Sequence, residues 1–241
     1  MDTNFIVIFS YFIVIYRIVQ LYEVLIAMSF QNQFTKTTTD ANLMETVHHG
    51  SAEYPFRYYY ENIALFDFKC IDWHWHSELE FIYIESGNVV FDIGTVHFEL
   101  NEGNGIMINS KILHRLQSSS DAIIPNFLFQ PSFIAPQDSL IYKKYINPVI
   151  SSSLEYLVFQ PDIPWQKKAL EIIKTIIAVQ ETEFNREIIV SMSVQQLWIL
   201  LLENLTFDQF ENMGAVISRT RLQLMMQYVH AHYSENITLE D

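Results

Sequence analysis

The stretch WHWHSELEFIYIESG, residues 73 to 87, decides how the chain is read. Side chains on an extended strand alternate between faces. His74, His76, Glu78, Glu80, Ile82 and Ile84 therefore fall on one face, and Trp73, Trp75, Leu79, Phe81 and Tyr83 on the other. Two imidazoles and a carboxylate at this spacing can converge on one cation, because neutral imidazole and carboxylate suit zinc, nickel, manganese and ferrous iron. His114 follows the apolar run GIMINS and can supply a third imidazole.

Outward from this stretch, short apolar runs alternate with turn residues: EFIYIESG, NVVFDIG, TVHFELNEG and GIMINSKILHRL, with a further strand expected over 126 to 130. Four of the six glycines, Gly87, Gly94, Gly103 and Gly105, punctuate them. Such spacing predicts antiparallel strands joined by tight turns, an all-β sandwich or barrel rather than βαβ units. From Trp165 the period changes to about 3.6. A helix is predicted to open near Pro164 with Ala169, Leu170, Ile172, Ile173, Ile176 and Ile177 as its apolar stripe, and a second to run over 186 to 205. The second is apolar enough to pack on its neighbour and on a partner, with Leu197, Trp198, Leu201 and Leu205 as dimerisation candidates. A covering role over the β domain is the alternative. A third helix is predicted over 218 to 233, followed by a capping box at Thr238 and Asp241 that opens another.

The pattern H-x-H-x-x-x-E-x-x-x-x-x-x-G, filled by His74, His76, Glu80 and Gly87, resembles the first cupin motif, and Gly103 to His114 resembles the second. The second motif departs from the family pattern, with Asn109 and Lys111 where proline and glycine would stand, and Ser118 where asparagine would. The order HGSAEYPF, HWHSELE, GIMINSKILH, a helical pair, then RLQLMMQYVHAHYSENITLED resembles AraC-type transcriptional regulators over about 43 to 241. That resemblance implies an α+β chain. Its N-terminal antiparallel cupin-like barrel binds a small effector, often a sugar or related metabolite, its helical region dimerises, and an all-α helix-turn-helix domain binds DNA. The expected boundaries are 1–44 for an apolar extension and flexible lead-in, 45–135 for the barrel, 136–210 for the helical region and 215–241 for a truncated start of the DNA-binding domain.

Composition sets limits on this reading. Half of the 241 residues are hydrophobic, ample for a core, and a net charge of −14 has the wrong sign for coating nucleic acid with the whole surface. Any DNA contact must be local. Between Gly214 and Asp241 only Arg219 and Arg221 are basic, enough for backbone contacts at most, so this chain alone is not expected to hold operator DNA. A single cysteine, Cys70, requires no oxidising compartment, which makes the cytoplasm the expected location. Residues 4 to 28 are mostly apolar, but Arg17, Gln20 and Glu23 interrupt them. We read them as an extension preceding a start at Met28, with a membrane or export role as the alternative.

For His74, His76, Glu80 and His114 three readings stand: an effector pocket, a divalent transition-metal site, or a self-satisfied structural cluster. The first predicts sugar hydroxyls paired with imidazole and carboxylate, and their C–H faces on aromatic rings. His49, Tyr58, Tyr60 and Glu78 are secondary pocket candidates. The resulting expectation is a non-enzymatic, homodimeric regulator that senses a small molecule, with no obligatory cofactor and with DNA as partner only in a full-length version. A metal-dependent cupin enzyme, and a sensor-only protein acting by pairing with an intact regulator, are the alternatives.

Overall fold

The computed structural model describes residues 36–205 apart from Glu183, together with residues 224–226, 228–229 and 232. Among these, nine strands form two antiparallel sheets. The five-stranded sheet has the order β1 (Phe56–Asn62), β8 (Ile123–Phe129), β3 (Leu79–Tyr83), β6 (Gly105–Ile108) and β9 (Tyr156–Phe159). The four-stranded sheet has the order β2 (Cys70–His74), β7 (His114–Gln117), β4 (Asn88–Ile93) and β5 (Val96–Asn101). The fold class is that expected, α+β with a cupin-like antiparallel β domain and helices beside it.

Register separates two cores, because directly opposed residues on neighbouring strands share a face. Tyr58, Phe127, Phe81, Met107 and Leu157 form one row across the five-stranded sheet. Their face packs on the helices. There Phe81 lies nearly parallel to Phe127 at 5.3 Å and to Phe159 at 6.2 Å. The adjacent row, Arg57, Leu128, Glu80, Ile108 and Tyr156, faces the other way, toward the four-stranded sheet. Between the sheets Ile82, Ile106, Ile124, Phe91, Ile93 and Leu116 make a second, mainly aliphatic core. The functional residues occupy one polar end of this inner space.

The decisive stretch is not one strand. β2 ends at His74 in the four-stranded sheet and β3 begins at Leu79 in the five-stranded one, so the chain changes sheets across residues 75–78. Other partners claim that corner: Trp75 N donates to Leu43 O at 3.0 Å, and Lys111 N donates to His76 O at 2.8 Å. At its far end Gly87 takes φ +80, and a Cβ there would stand 2.6 Å from Asp121 O, which is why the turn needs glycine.

β9 pairs with β6 and lies in the 136–210 region, where no strand was expected. It is four residues long and follows a proline-broken segment that includes the short helix α1 (Asn147–Ile150). Helix α2 (Pro164–Ala178) opens with proline at its first turn and buries Ala169, Leu170, Ile173 and Ile176, the expected stripe. Helix α3 (Arg186–Asn204) buries Val190, Val194, Leu197, Trp198 and Leu201.

This burial corrects the dimerisation candidates. Leu197, Trp198 and Leu201 are 1%, 3% and 1% exposed, and Trp198 Nε1 donates to Tyr145 O at 3.0 Å, so they serve the chain's own core. Leu205 is half-buried at the same edge. The apolar residues that α3 shows to solvent are Ile188, Met192 and Ile199. Residues 224–226, 228–229 and 232 are helical, as expected of the third helix. Arg219, Arg221, the capping box and the apolar N-terminal extension lie outside the described residues.

Candidate functional site

His74 and His114 are direct cross-strand partners on β2 and β7, so both rings enter the space between the sheets, with centroids 4.1 Å apart. His76 reaches the same point from the corner, and Glu80 from the inner face of β3. Glu80 Oε2 stands 3.2 Å from His76 Nε2 and 3.2 Å from His114 Nε2. All four residues are buried.

Backbone carbonyls fix two of the rings. His74 Nδ1 donates to Asp72 O at 2.7 Å and His114 Nδ1 donates to Ile112 O at 2.8 Å. A carbonyl only accepts, so each Nδ1 carries a proton, and wherever the ring is neutral its Nε2 lone pair faces inward. His114 Nε2, despite its closeness to Glu80, has no aligned hydrogen bond and is buried. A lone pair facing a carboxylate is unfavourable until a proton or a cation lies between them.

Electrostatics follow the same geometry. Burial pushes His74 down to about 3, helped by the neighbouring His114. For His76 burial acts downward too, but the hydrogen bond and charge of Glu80 outweigh it, and its pKa is raised. Burial alone would raise Glu80; its close contacts with the His114 and His76 rings reverse this and hold it well below the usual carboxylate range.

Ligand atoms of His74, His76 and His114 all lie within 4.8 Å of one another. A metal–nitrogen bond of about 2.0–2.1 Å allows ligand atoms up to about 4.2 Å apart, so small side-chain rotations close the set around one ion. The donor set fits a divalent transition metal, with Glu80 as a fourth ligand and the two carbonyl-bound Nδ1 groups holding the rings in their coordinating tautomer. The departures from the second motif leave this geometry intact. Lys111 adopts φ 62, the conformation a glycine would supply. Asn109 is fully buried and ties the corner down by donating to Val149 O and Leu154 O. Ser118 Oγ donates to Asn88 O at 2.7 Å.

Beside His74 and Glu80 a cavity of about 40 Å³ opens, lined also by Glu45, His49, Tyr59, Glu61, Asn126 and Leu128, with Lys36 and Thr37 at its edge. That is space for roughly three waters. His49, a secondary candidate, belongs here: its Nδ1 pairs with Tyr59 Oη at 2.9 Å, its Nε2 with Glu45 Oε2 at 3.1 Å, and its ring meets that of His76 edge-on. Glu45 is held below its ordinary value because the hydrogen bond and charge of His49 outweigh burial, with His74 and His76 helping.

The other secondary candidates lie elsewhere. Tyr58 packs into the helix-side core, and Tyr60 Oη donates to Glu85 Oε1 at 2.8 Å. Glu78 Oε1 accepts from Gln130 Nε2 at 2.6 Å, and its other oxygen stays 3.8 Å from His76 Nδ1. On β1 it is Tyr59 and Glu61 that face the cavity. The run RYYYEN carries no polarity contrast that sets its parity; only pairing with β8, where Tyr59 opposes Asn126, fixes it. Glu45, Glu61 and Asn126 were not legible as site residues.

Comparison with known proteins bears on the family. Residues 66–136 match the AraC-like ligand binding domain. The chain is 32% identical over 209 residues to the uncharacterized HTH-type transcriptional regulator YdeC of Bacillus subtilis, covering 84% of this chain and 70% of that protein. Among solved structures it is similar to a cupin-2 domain protein of Shewanella frigidimarina (14% identity, 30% of this chain and 69% of that one, TM-score 0.27). It is also similar to NMB1881 of Neisseria meningitidis (14% identity, 32% and 75%, TM-score 0.28). The identity and coverage shared with YdeC, together with the matched ligand-binding domain, show that the chain belongs to the AraC-type transcriptional regulators with a cupin-like N-terminal domain.

Proposed function

We propose that this chain is the sensing part of a cytoplasmic, DNA-binding transcriptional regulator, in which a divalent transition metal held by His74, His76, His114 and Glu80 presents a small effector to the adjoining cavity. The observation that carries this reading is the pair of inward Nε2 lone pairs set by Asp72 O and Ile112 O around a buried carboxylate. The metal would supply a Lewis-acidic site for an effector oxygen or nitrogen. The chain's own residues hold it, orient it and keep water out. A cavity of about 40 Å³ favours an effector of few atoms over a whole monosaccharide, unless the edge at Lys36 and Thr37 opens.

Effector binding acts as a population shift, favouring one arrangement of the sensing domain and so changing how the DNA-binding segment is presented. DNA contact falls to the segment from about residue 215, where Arg219 and Arg221 are the basic residues available for backbone contacts. We read the protein as a homodimer. On α3, Ile188, Met192 and Ile199 are 60%, 66% and 57% exposed, and with residue 195 they follow the 4-3-4 spacing of a helix seam that suits pairing with a second copy. No described helix is long and apolar enough to cross a membrane.

The test is calorimetric titration of zinc into metal-free protein. One site per chain is expected in the wild type and none in the His74→Ala/His76→Ala double variant. Equal binding by both would leave only the structural reading of the cluster.

A further inference from the structure

We propose that the cavity beside the histidine–glutamate centre selects a small ligand bearing a protonated amine, anchored on Glu61 and oriented by Asn126. This rests on the reading of the cavity as a ligand site and adds to it the chemical class of the ligand.

Three carboxylates, those of Glu45, Glu61 and Glu80, line one small cavity. Two are already engaged with imidazoles: Glu45 with His49, and Glu80 with His76 and His114. Glu61 differs. Its Oε2 accepts from Asn126 Nδ2 at 2.7 Å, its Oε1 takes no hydrogen bond among the described residues, and no cation pairs with it there. Asn126 Nδ2 also donates to Ile124 O, which locks the amide and so fixes the carboxylate plane. Glu61 is half-buried and lines the cavity, so its second oxygen is available to whatever enters.

A second observation places a ligand there. His74 is only 5% exposed, its Nδ1 is committed to Asp72 O, and its Nε2 edge lines the cavity without a hydrogen-bond partner among the described residues. That nitrogen is the one the metal would take, so the ligand would enter between the His74 wall and the under-used carboxyl of Glu61. Lys36 lies at the edge of the cavity and Arg57 over the Tyr59 ring, both exposed, where solvent and salt screen them. Burial, reinforced by Glu80 and Glu45, makes an isolated charge on Glu61 costly, and a cation brought against it offsets that cost. An anionic ligand would meet the carboxylates of Glu45 and Glu80 inside and a chain of net charge −14 outside.

Two probes of four or five heavy atoms that share a hydroxyl test this: ethanolamine and glycolate, added separately to the cobalt-loaded 241-residue protein and followed by thermal melting. The expected result is that ethanolamine raises the melting midpoint and binds at least tenfold more tightly than glycolate. Glu61→Gln, which keeps the hydrogen bond to Asn126 in shape but not in charge, should abolish that preference while the cobalt absorption bands remain. Equal or tighter glycolate binding, an undiminished ethanolamine response in Glu61→Gln, or no response to either probe would overturn the proposal. Loss of the cobalt bands in the wild type would instead strike the metal reading, and the melting comparison would still decide the amine.

Discussion

His114 Nε2 lies 3.2 Å from Glu80 Oε2 although the two side chains belong to opposite sheets, so a proton or cation held between them ties the two halves of the β domain together. Glu80 also serves His76 at the same distance. Replacing it by alanine leaves the buried His76 Nε2 unsatisfied. We expect Glu80→Ala to lower the stability of the metal-free protein by about 1–3 kcal/mol in urea denaturation. Unchanged stability would show that the clamp holds nothing.

Glu61 gives the protein a pH dependence of definite sign. Its pKa is pushed up to about 8 from 4.5, first by burial and then by Glu80 and Glu45. Between those values the folded chain keeps a proton that the unfolded chain has released. Its contribution is therefore fully present below about pH 4.5 and is lost as pH rises through 8. Chemical denaturation of ligand-free wild type and Glu61→Gln across this range should show their stability difference moving steadily in favour of the variant as pH rises. Parallel curves would contradict the assignment.

The apolar stripe of α3 yields a prediction about assembly. Ile199→Glu alters a residue 57% exposed in the chain, so the fold should survive it. Sedimentation velocity should find a dimer for wild type and a monomer for the variant. A wild type that stays monomeric at all concentrations would remove the case for pairing through this face.

The helix-side core should be the most sensitive part of the fold. Phe81 is 1% exposed and stacks with Phe127, Phe129 and Phe159. Phe81→Ala is expected to cost about 3–5 kcal/mol, read from the denaturation midpoint. A cost below about 1 kcal/mol would mean that the sheet and helices are held together by something else.

Much of the architecture was legible because it rests on periodicity. The alternation after Glu78, the turn glycines and the 3.6-residue stripe from Ala169 to Ile177 report burial directly. His74, His76, Glu80 and His114 were legible from type and spacing, and they converge even though the single strand expected to carry three of them is broken at residues 75–78. Less could be seen where two faces are equally apolar. Tyr58, Tyr59 and Tyr60 look alike in sequence, and only the pairing of Tyr59 with Asn126 sends Tyr59 and Glu61 inward. On α3, apolar residues surround the helix, so its sequence did not show that Trp198 and Leu201 are buried while Met192 and Ile199 face solvent. The strand at Tyr156–Phe159 draws its stability from β6, a partner about fifty residues away, which local pattern does not reveal.

The central claim is that one ion is gripped by three imidazoles and a carboxylate at the inner end of the β domain. X-ray absorption at the zinc edge of the zinc-loaded protein tests it most directly. The expected spectrum has a first shell of nitrogen and oxygen at about 2.0–2.1 Å with the outer-shell scattering of three imidazole rings, reduced to two in His114→Ala. A shell of oxygen alone, or an imidazole count unchanged by His114→Ala, would contradict it.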